Sequence, residues 1–265
     1  MKTYPKFHRL IAPLFSLVLM LSACASGPGV AQTNERQIKA QAMFAERCKT
    51  AGEKIHKKVE DVEGVYLMKI RPNAMNYGDQ FALTDPFGDD VGGDGYIMSF
   101  LRGFYTPPKE RNENTPPRLA YLYVEALDSK DGKRYRYTGR MEEPWQTNKT
   151  FLQGYTRFVL DKVPAPGAMP RYGVTYDDIS TREEREYWIA GSSLKVIDLQ
   201  TNEVIAERIG YMMDWAQGSQ VGGRSPWLLA ANNACPKFAD RHGASAQTNQ
   251  TEKFVEQVLK PTFKK

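Results

Sequence analysis

The chain has 265 residues, 41% of them hydrophobic and 25% charged, which is enough material for one substantial buried core. Its 36 Lys and Arg stand against 31 Asp and Glu. Three of the cations, Lys2, Lys6 and Arg9, lie in the first segment, and the 33 left against 31 give only +2, which removes any charge argument for a nucleic-acid partner.

Those cations precede an apolar run from Leu10 to Leu21, broken by Pro13 and Ser16, in the pattern of an export leader. The run is about half of the ~20 residues needed to span a bilayer, and no later stretch approaches that length. Leu21-Ser22-Ala23-Cys24 closes it and resembles the lipobox of bacterial lipoproteins, in which the cysteine is acylated and the leader is cut before it. Residues 1–23 then read as a lipoprotein signal peptide and Cys24 as the lipid attachment. The membrane is engaged through that anchor. Ala25 is not the aspartate that resembles an inner-membrane retention signal, so the expected address is the periplasmic side of the outer membrane. A plain secretory signal cut elsewhere is the alternative. Three acyl chains, at ~0.8 kcal/mol per buried methylene, would make release negligible.

With Cys24 committed to lipid, Cys48 and Cys235 remain in an oxidising compartment, and the expectation is that they pair as a disulfide rather than persist as free thiols.

Residues 24–33 are rich in Ser, Gly, Pro and Ala and read as a flexible tether, leaving 34–265 as a single α+β domain. From Asn34, taken as an N-cap, Ile38, Ala42, Phe44, Ala45, Cys48, Ala51 and Ile55 recur at helical spacing, with Lys54, Lys57 and Lys58 in the last turns. Gly64 to Ile70 alternates as a strand that Pro72 ends, and Tyr96 to Phe104 reads as another. Between them, Asp79 to Asp94 is an acidic, Gly-rich loop. Thr106 to Pro117, with four prolines, reads as an exposed excursion. Leu119 to Ala126 and Lys133 to Gly139 form a hairpin across Asp128-Ser129-Lys130-Asp131-Gly132. Phe151 to Asp161 is a further strand. Tyr187 to Asp198 and Glu203 to Met213 form the clearest strand pair, with Asn202 able to take φ > 0 in the turn. Trp227 to Ala239 and Thr251 to Leu259 show helical spacing. The predicted class is α+β, a mainly antiparallel sheet with an N-terminal helix and C-terminal helices.

Catalytic groups are sparse. After leader removal only His56 and His242 remain, and neither stands in a nucleophile setting; Gly191-Ser192-Ser193 lies within a strand. Two distant histidines and committed cysteines do not make a zinc site, so no metal is expected. The loop holding Asp79, Asp85, Asp89, Asp90 and Asp94 lacks the order of a calcium-binding loop and reads as solvated, with calcium as the alternative. Gly92-Gly93-Asp94-Gly95 is followed by no Lys-Ser or Lys-Thr, and a strand rather than a helix is expected after it, which argues against a phosphate cradle. No cofactor is implied and the chain reads as a non-enzyme. The basic hairpin carries Lys133, Tyr135 and Tyr137 on one face and Arg134 and Arg136 on the other. The hairpin reads as an exposed cross-strand surface, with docking to a partner as the sharper alternative; for that role Tyr135, Arg136, Tyr137 and Asp89 are the candidate partner-binding residues, since charges speed encounter and aromatics supply buried area.

The segments Tyr187 to Asp198 and Thr201 to Arg208 resemble the lipoprotein immunity proteins paired with type VI secretion lipase effectors, in which a comparable hairpin follows a Glu-Arg-Cys-Lys helix, here Glu46 to Lys49. Ser225-Pro226-Trp227 and Ala234-Cys235-Pro236 add to the likeness. The resemblance implies a non-enzymatic periplasmic inhibitor that binds a cognate secreted effector, a phospholipase. A structural or assembly lipoprotein of the envelope is the competing class.

Overall fold

Asn202 sits at φ +60° in the turn between the two longest strands, Ile189–Asp198 and Glu203–Met213, so the sharpest hairpin of the sequence is also the spine of the sheet. The computed structural model of the chain describes residues 28–73, 80–81, 91–101, 120–146, 148–152, 154–227, 230–237 and 245–262. Helix α1 (Pro28–Cys48) leads into short strands β1 (Gly52–Ile55), β2 (Val59–Val62) and β3 (Gly64–Leu67), then helix α2 (Asp94–Leu101). Strands β4 (Tyr123–Leu127), β5 (Arg134–Glu142), β6 (Arg157–Pro164) and β7 (Tyr172–Asp178) follow, then a short helix α3 (Arg182–Glu186). The long hairpin is β8 and β9; β10 (Ala234–Cys235), α4 (Ala246–Val258) and β11 (Leu259–Pro261) complete the described chain.

The strands run in the order β1-β9-β8-β7-β3-β4-β5-β6, with β10 also on β9. Pairing is antiparallel except at β3, which lies parallel to both β4 and β7. A separate parallel pair joins β11 to β2. The fold is thus α+β with a mixed, mostly antiparallel sheet. Successive strand residues face opposite sides. One side presents Val65, Leu67, Val124, Ala126, Val174, Tyr176, Leu194 and Val196, and α2 and α4 cover it with Tyr96, Ile97, Phe100, Leu101, Phe254, Val255 and Val258. Each such side chain contributes roughly 1.5–3 kcal/mol on full burial. The opposite side of β8 and β9 takes α1, whose Ala40, Met43 and Phe44 meet Ile189, Tyr211 and Met213.

The tie between α1 and the sheet is also polar. Thr181 caps α3 by accepting from Glu184 N–H at 3.2 Å while the Glu184 carboxylate accepts from Thr181 N–H at 2.6 Å. The same carboxylate pairs with Arg47 of α1, which holds the Arg47 guanidinium pKa above its usual value.

Several sequence expectations are corrected. Helix α1 begins at Pro28, inside the stretch read as tether, so Asn34 lies within the helix and is not its cap. It ends at Cys48, because Gly52–Ile55 finds backbone partners on β9, and sheet pairing overrides the helical spacing beyond Ala51. Tyr96 to Leu101 is helical rather than a strand, since its buried residues Tyr96, Ile97, Phe100 and Leu101 fall on one helix face. The Gly92-Gly93 segment therefore does lead into a helix. Among the described residues of Trp227 to Ala239 the helical content is a short 3-10 turn at Ala230–Asn233, followed by β10. Among the described residues no helix is long and apolar enough to cross a membrane.

Candidate functional site

Cys24 and Asp89, and with Asp89 the acidic residues Asp79, Asp85 and Asp90, lie outside the described residues, as does His242. Asp94 opens α2. Cys48 and Cys235 stand at disulfide distance, with sulfurs 2.07 Å and Cα atoms 5.5 Å apart. The pair closes the point where β1 and β10 meet end to end along β9, opposite Ile209 and Tyr211.

The three remaining candidates, Tyr135, Arg136 and Tyr137, fall on β5, and the structure separates them. Tyr137 is 3% exposed and belongs to the core; burial raises its phenol pKa. Tyr135 is half-buried and donates its hydroxyl to Asp131 Oδ2 at 2.7 Å. Both rings take the Lys162 ammonium of β6, at 4.0 and 5.9 Å from their centres. Lys162 also donates to Asp128, and this bond holds the carboxyl below and the ammonium above their usual ranges. Arg136 faces the other side with Arg134, as alternation requires. Their common acceptor is Glu125 of β4, which lies opposite Arg136 and is fully buried: Arg136 Nη2 reaches Oε1 at 2.8 Å and Arg134 Nε reaches Oε2 at 3.3 Å. Tyr123 completes this group, its ring centre 3.9 Å from the Arg136 guanidinium.

The connection between β5 and β6 adds what the sequence reading passed over. Trp145 is 86% exposed and Tyr155 61%, and Val163 on β6 is 51% exposed. A large exposed tryptophan is a signal for recognition, and it is legible in the sequence only once the strands either side of it are placed. Beside it, Arg157 Nη2 donates to Glu142 Oε1 at 2.7 Å and Arg140 Nε to Asp161 at 3.1 Å, a cross-strand ladder of alternating charge.

The concave surfaces differ in kind. A cavity of about 10 Å³, room for one water, is bounded by Arg71, Arg208, Ser192, Gln247, Gln250 and Thr251. Arg71 Nη1 donates to Gln247 Oε1 at 2.6 Å there, and Arg208 Nε to Glu53 Oε1 at 3.1 Å, so the cations tie α4 and β1 to the sheet. An open cleft of about 310 Å³ runs from Val59–Gly64 to Tyr123 and Arg171. Ser193 is held in mid-strand, its hydroxyl donating to Glu207 Oε1 at 2.7 Å, and His56 N–H donates to Ile205 O at 2.9 Å. Among the described residues no three His, Cys, Asp or Glu side chains are grouped to hold a metal. What the β4–β5–β6 surface can do chemically is present a rigid, charged and aromatic face to another macromolecule. No family model, curated protein or solved structure matches the chain.

Proposed function

We propose that this protein is a lipid-anchored envelope protein that neutralises an incoming secreted phospholipase by binding it, without turnover, in the manner of the immunity lipoproteins it resembles. The observation that carries the reading is Trp145, 86% exposed between two paired strands. Tryptophan at the centre of an interface supplies a large contact area at low entropic cost. Arg136, near the other end of β5, extends the charged surface on one face of the sheet, and Tyr135 lies on the other face beside buried Tyr137. The likeness of Glu46–Lys49 and of the β8–β9 hairpin to that family supports the same role.

The test is whether a phospholipase is encoded beside this chain and binds it at full length. Near one-to-one association that silences lipid hydrolysis, weakened by Trp145→Ala, is the expected result. An effector that is neither bound nor inhibited, in cells that the chain fails to protect, overturns the proposal.

A further inference from the structure

Trp215 and Val221 stand 47% and 86% exposed on the turn that follows β9, and Ile38 stands 58% exposed on α1. The two elements adjoin, because Gln37 Nε2 donates to Trp215 O at 3.4 Å. The turn is fixed from beneath. Asp214, fully buried, accepts from Ala216 N–H at 3.3 Å and from Gly218 N–H at 3.0 Å and pairs with Arg224, so the two charges that flank the turn neutralise each other inside it. Gln217 Nε2 donates to Tyr187 O at 2.9 Å. Gly218 lies against the Trp188 ring, where a Cβ would come within 2.0 Å of Cζ2, and that ring packs on Trp227 with centres 5.3 Å apart. A fixed base thus presents apolar side chains to water, the mark of a surface that something covers.

We infer that this rim, Ile38 with Trp215 and Val221, seats on the lipid surface to which the chain is anchored, with Trp215 at headgroup depth. The inference rests on lipid attachment at Cys24. Two features single out lipid as the occupant. The first is charge. Residues Trp215 to Gly223 include no Asp, Glu, Lys or Arg, and the face of α1 turned toward Trp215 carries Gln37 and, one turn on, Gln41. No charge has to be stripped of water as the rim enters the headgroup layer. The charges of α1 gather elsewhere, where Lys39 pairs with Glu183 at 3.2 Å and Arg36 donates to Glu186 O. The second feature is reach. From Cys24 to Pro28 the chain spans at most about 14 Å. From Pro28 to Gln37 the helix rises about 14 Å more, so the anchor holds the rim beside the bilayer. Tryptophan concentrates at membrane–water interfaces, where its ring is apolar and its N–H stays wet. Strand β5 lies across the sheet from β9, beyond β8, β7, β3 and β4, and the Trp145 that follows it stays in water when the rim is seated.

The test uses the exported chain, purified from membranes and reconstituted in vesicles of equal parts phosphatidylethanolamine and phosphatidylglycerol. Mass spectrometry first reads whether Cys24 carries acyl groups. With Cys24 acylated and Cys48 paired to Cys235, Val221→Cys offers one free thiol to a polarity-sensitive fluorophore, and Trp145→Cys does the same at a distant site; both positions are 86% exposed, so neither exchange disturbs packing. The label at 221 should shift to shorter wavelength on reconstitution and be quenched by lipids spin-labelled at the headgroup, whereas the label at 145 should do neither. Labels that behave alike at 221 and 145 on an acylated chain overturn the inference and leave the anchor standing. A shift at 221 that the labelled Cys24→Ser chain already shows without vesicles puts protein rather than lipid on the rim and overturns it as well. A chain with no acyl group at Cys24 overturns the anchor, and this inference with it.

Discussion

The Arg136 guanidinium lies 3.9 Å from the centre of the Tyr123 ring and at the same time pairs at 2.8 Å with Glu125, so one cation joins two residues on the same face of β4 to β5. Glu125 is fully buried and serves two arginines, each about a quarter exposed. Removing it leaves two cations facing one another, partly hydrated. Glu125→Ala should cost about 2–3 kcal/mol of stability and Arg136→Ala about 1 kcal/mol, with urea unfolding as the measurement.

Acid should reveal the Arg171–Asp198 pair. Arg171 Nη2 donates to Asp198 Oδ2 at 2.7 Å, and this bond holds the Asp198 carboxyl below its ordinary value of 3.8. A carboxyl depressed on folding contributes stability that is fully present above the unfolded value and lost as pH falls through the folded one. Asp198→Asn keeps the turn contact to Gln200 N–H but removes the charge. It should therefore be less stable than the parent at neutral pH and converge with it in acid, as chemical denaturation across pH 2–7 will show.

Reduction should loosen the join between α1 and β10. The loop closed by Cys48 and Cys235 spans a sequence separation of 187, for which the chain-entropy account gives roughly 5 kcal/mol as a ceiling. Cys235→Ser or a reducing agent is expected to remove about 3–5 kcal/mol, read as a fall in melting temperature, and the two treatments together should do no more than either alone.

Trp145→Ala separates binding from folding. The side chain is 86% exposed, so stability should stay within about 0.5 kcal/mol, while affinity for the proposed effector should fall by about tenfold or more. A thermal melt alongside a binding isotherm measures both.

Cys24→Ser tests the proposed anchor. Lipid attachment at Cys24 predicts that the variant leaves the membrane fraction for the soluble periplasm. A variant that still sediments with the membrane counts against it.

The sheet was legible in the sequence wherever strands are neighbours along the chain. β8 and β9 show alternation and an asparagine suited to positive φ, and β4 and β5 flank a Gly-containing turn. β3 was visible as a strand, but its parallel seat between β4 and β7 depends on contacts across long separations that no local pattern encodes. α2 has the aromatic content of a strand, and only the spacing of Tyr96, Ile97, Phe100 and Leu101 marks it as a helix. β1 has four residues and no alternation of its own, and becomes a strand because β9 offers it an edge. At the candidate surface, the two faces of β5 followed from alternation. That Glu125 would be the buried counterion of Arg134 and Arg136 did not, because nothing local marks a glutamate as buried.

The closure of Cys48 on Cys235 also decides how the protein bears load. Tension applied between the chain ends passes along α1, crosses the sulfur bridge to β10 and leaves through α4, so that every strand from β1 to β9 lies off the force path. A pull at the N-terminus can peel β10 from β9 or unravel the helices, but it cannot unzip the hairpins while that bond holds. The surface carried on β4, β5 and β6 is thereby insulated from a pull applied ahead of α1.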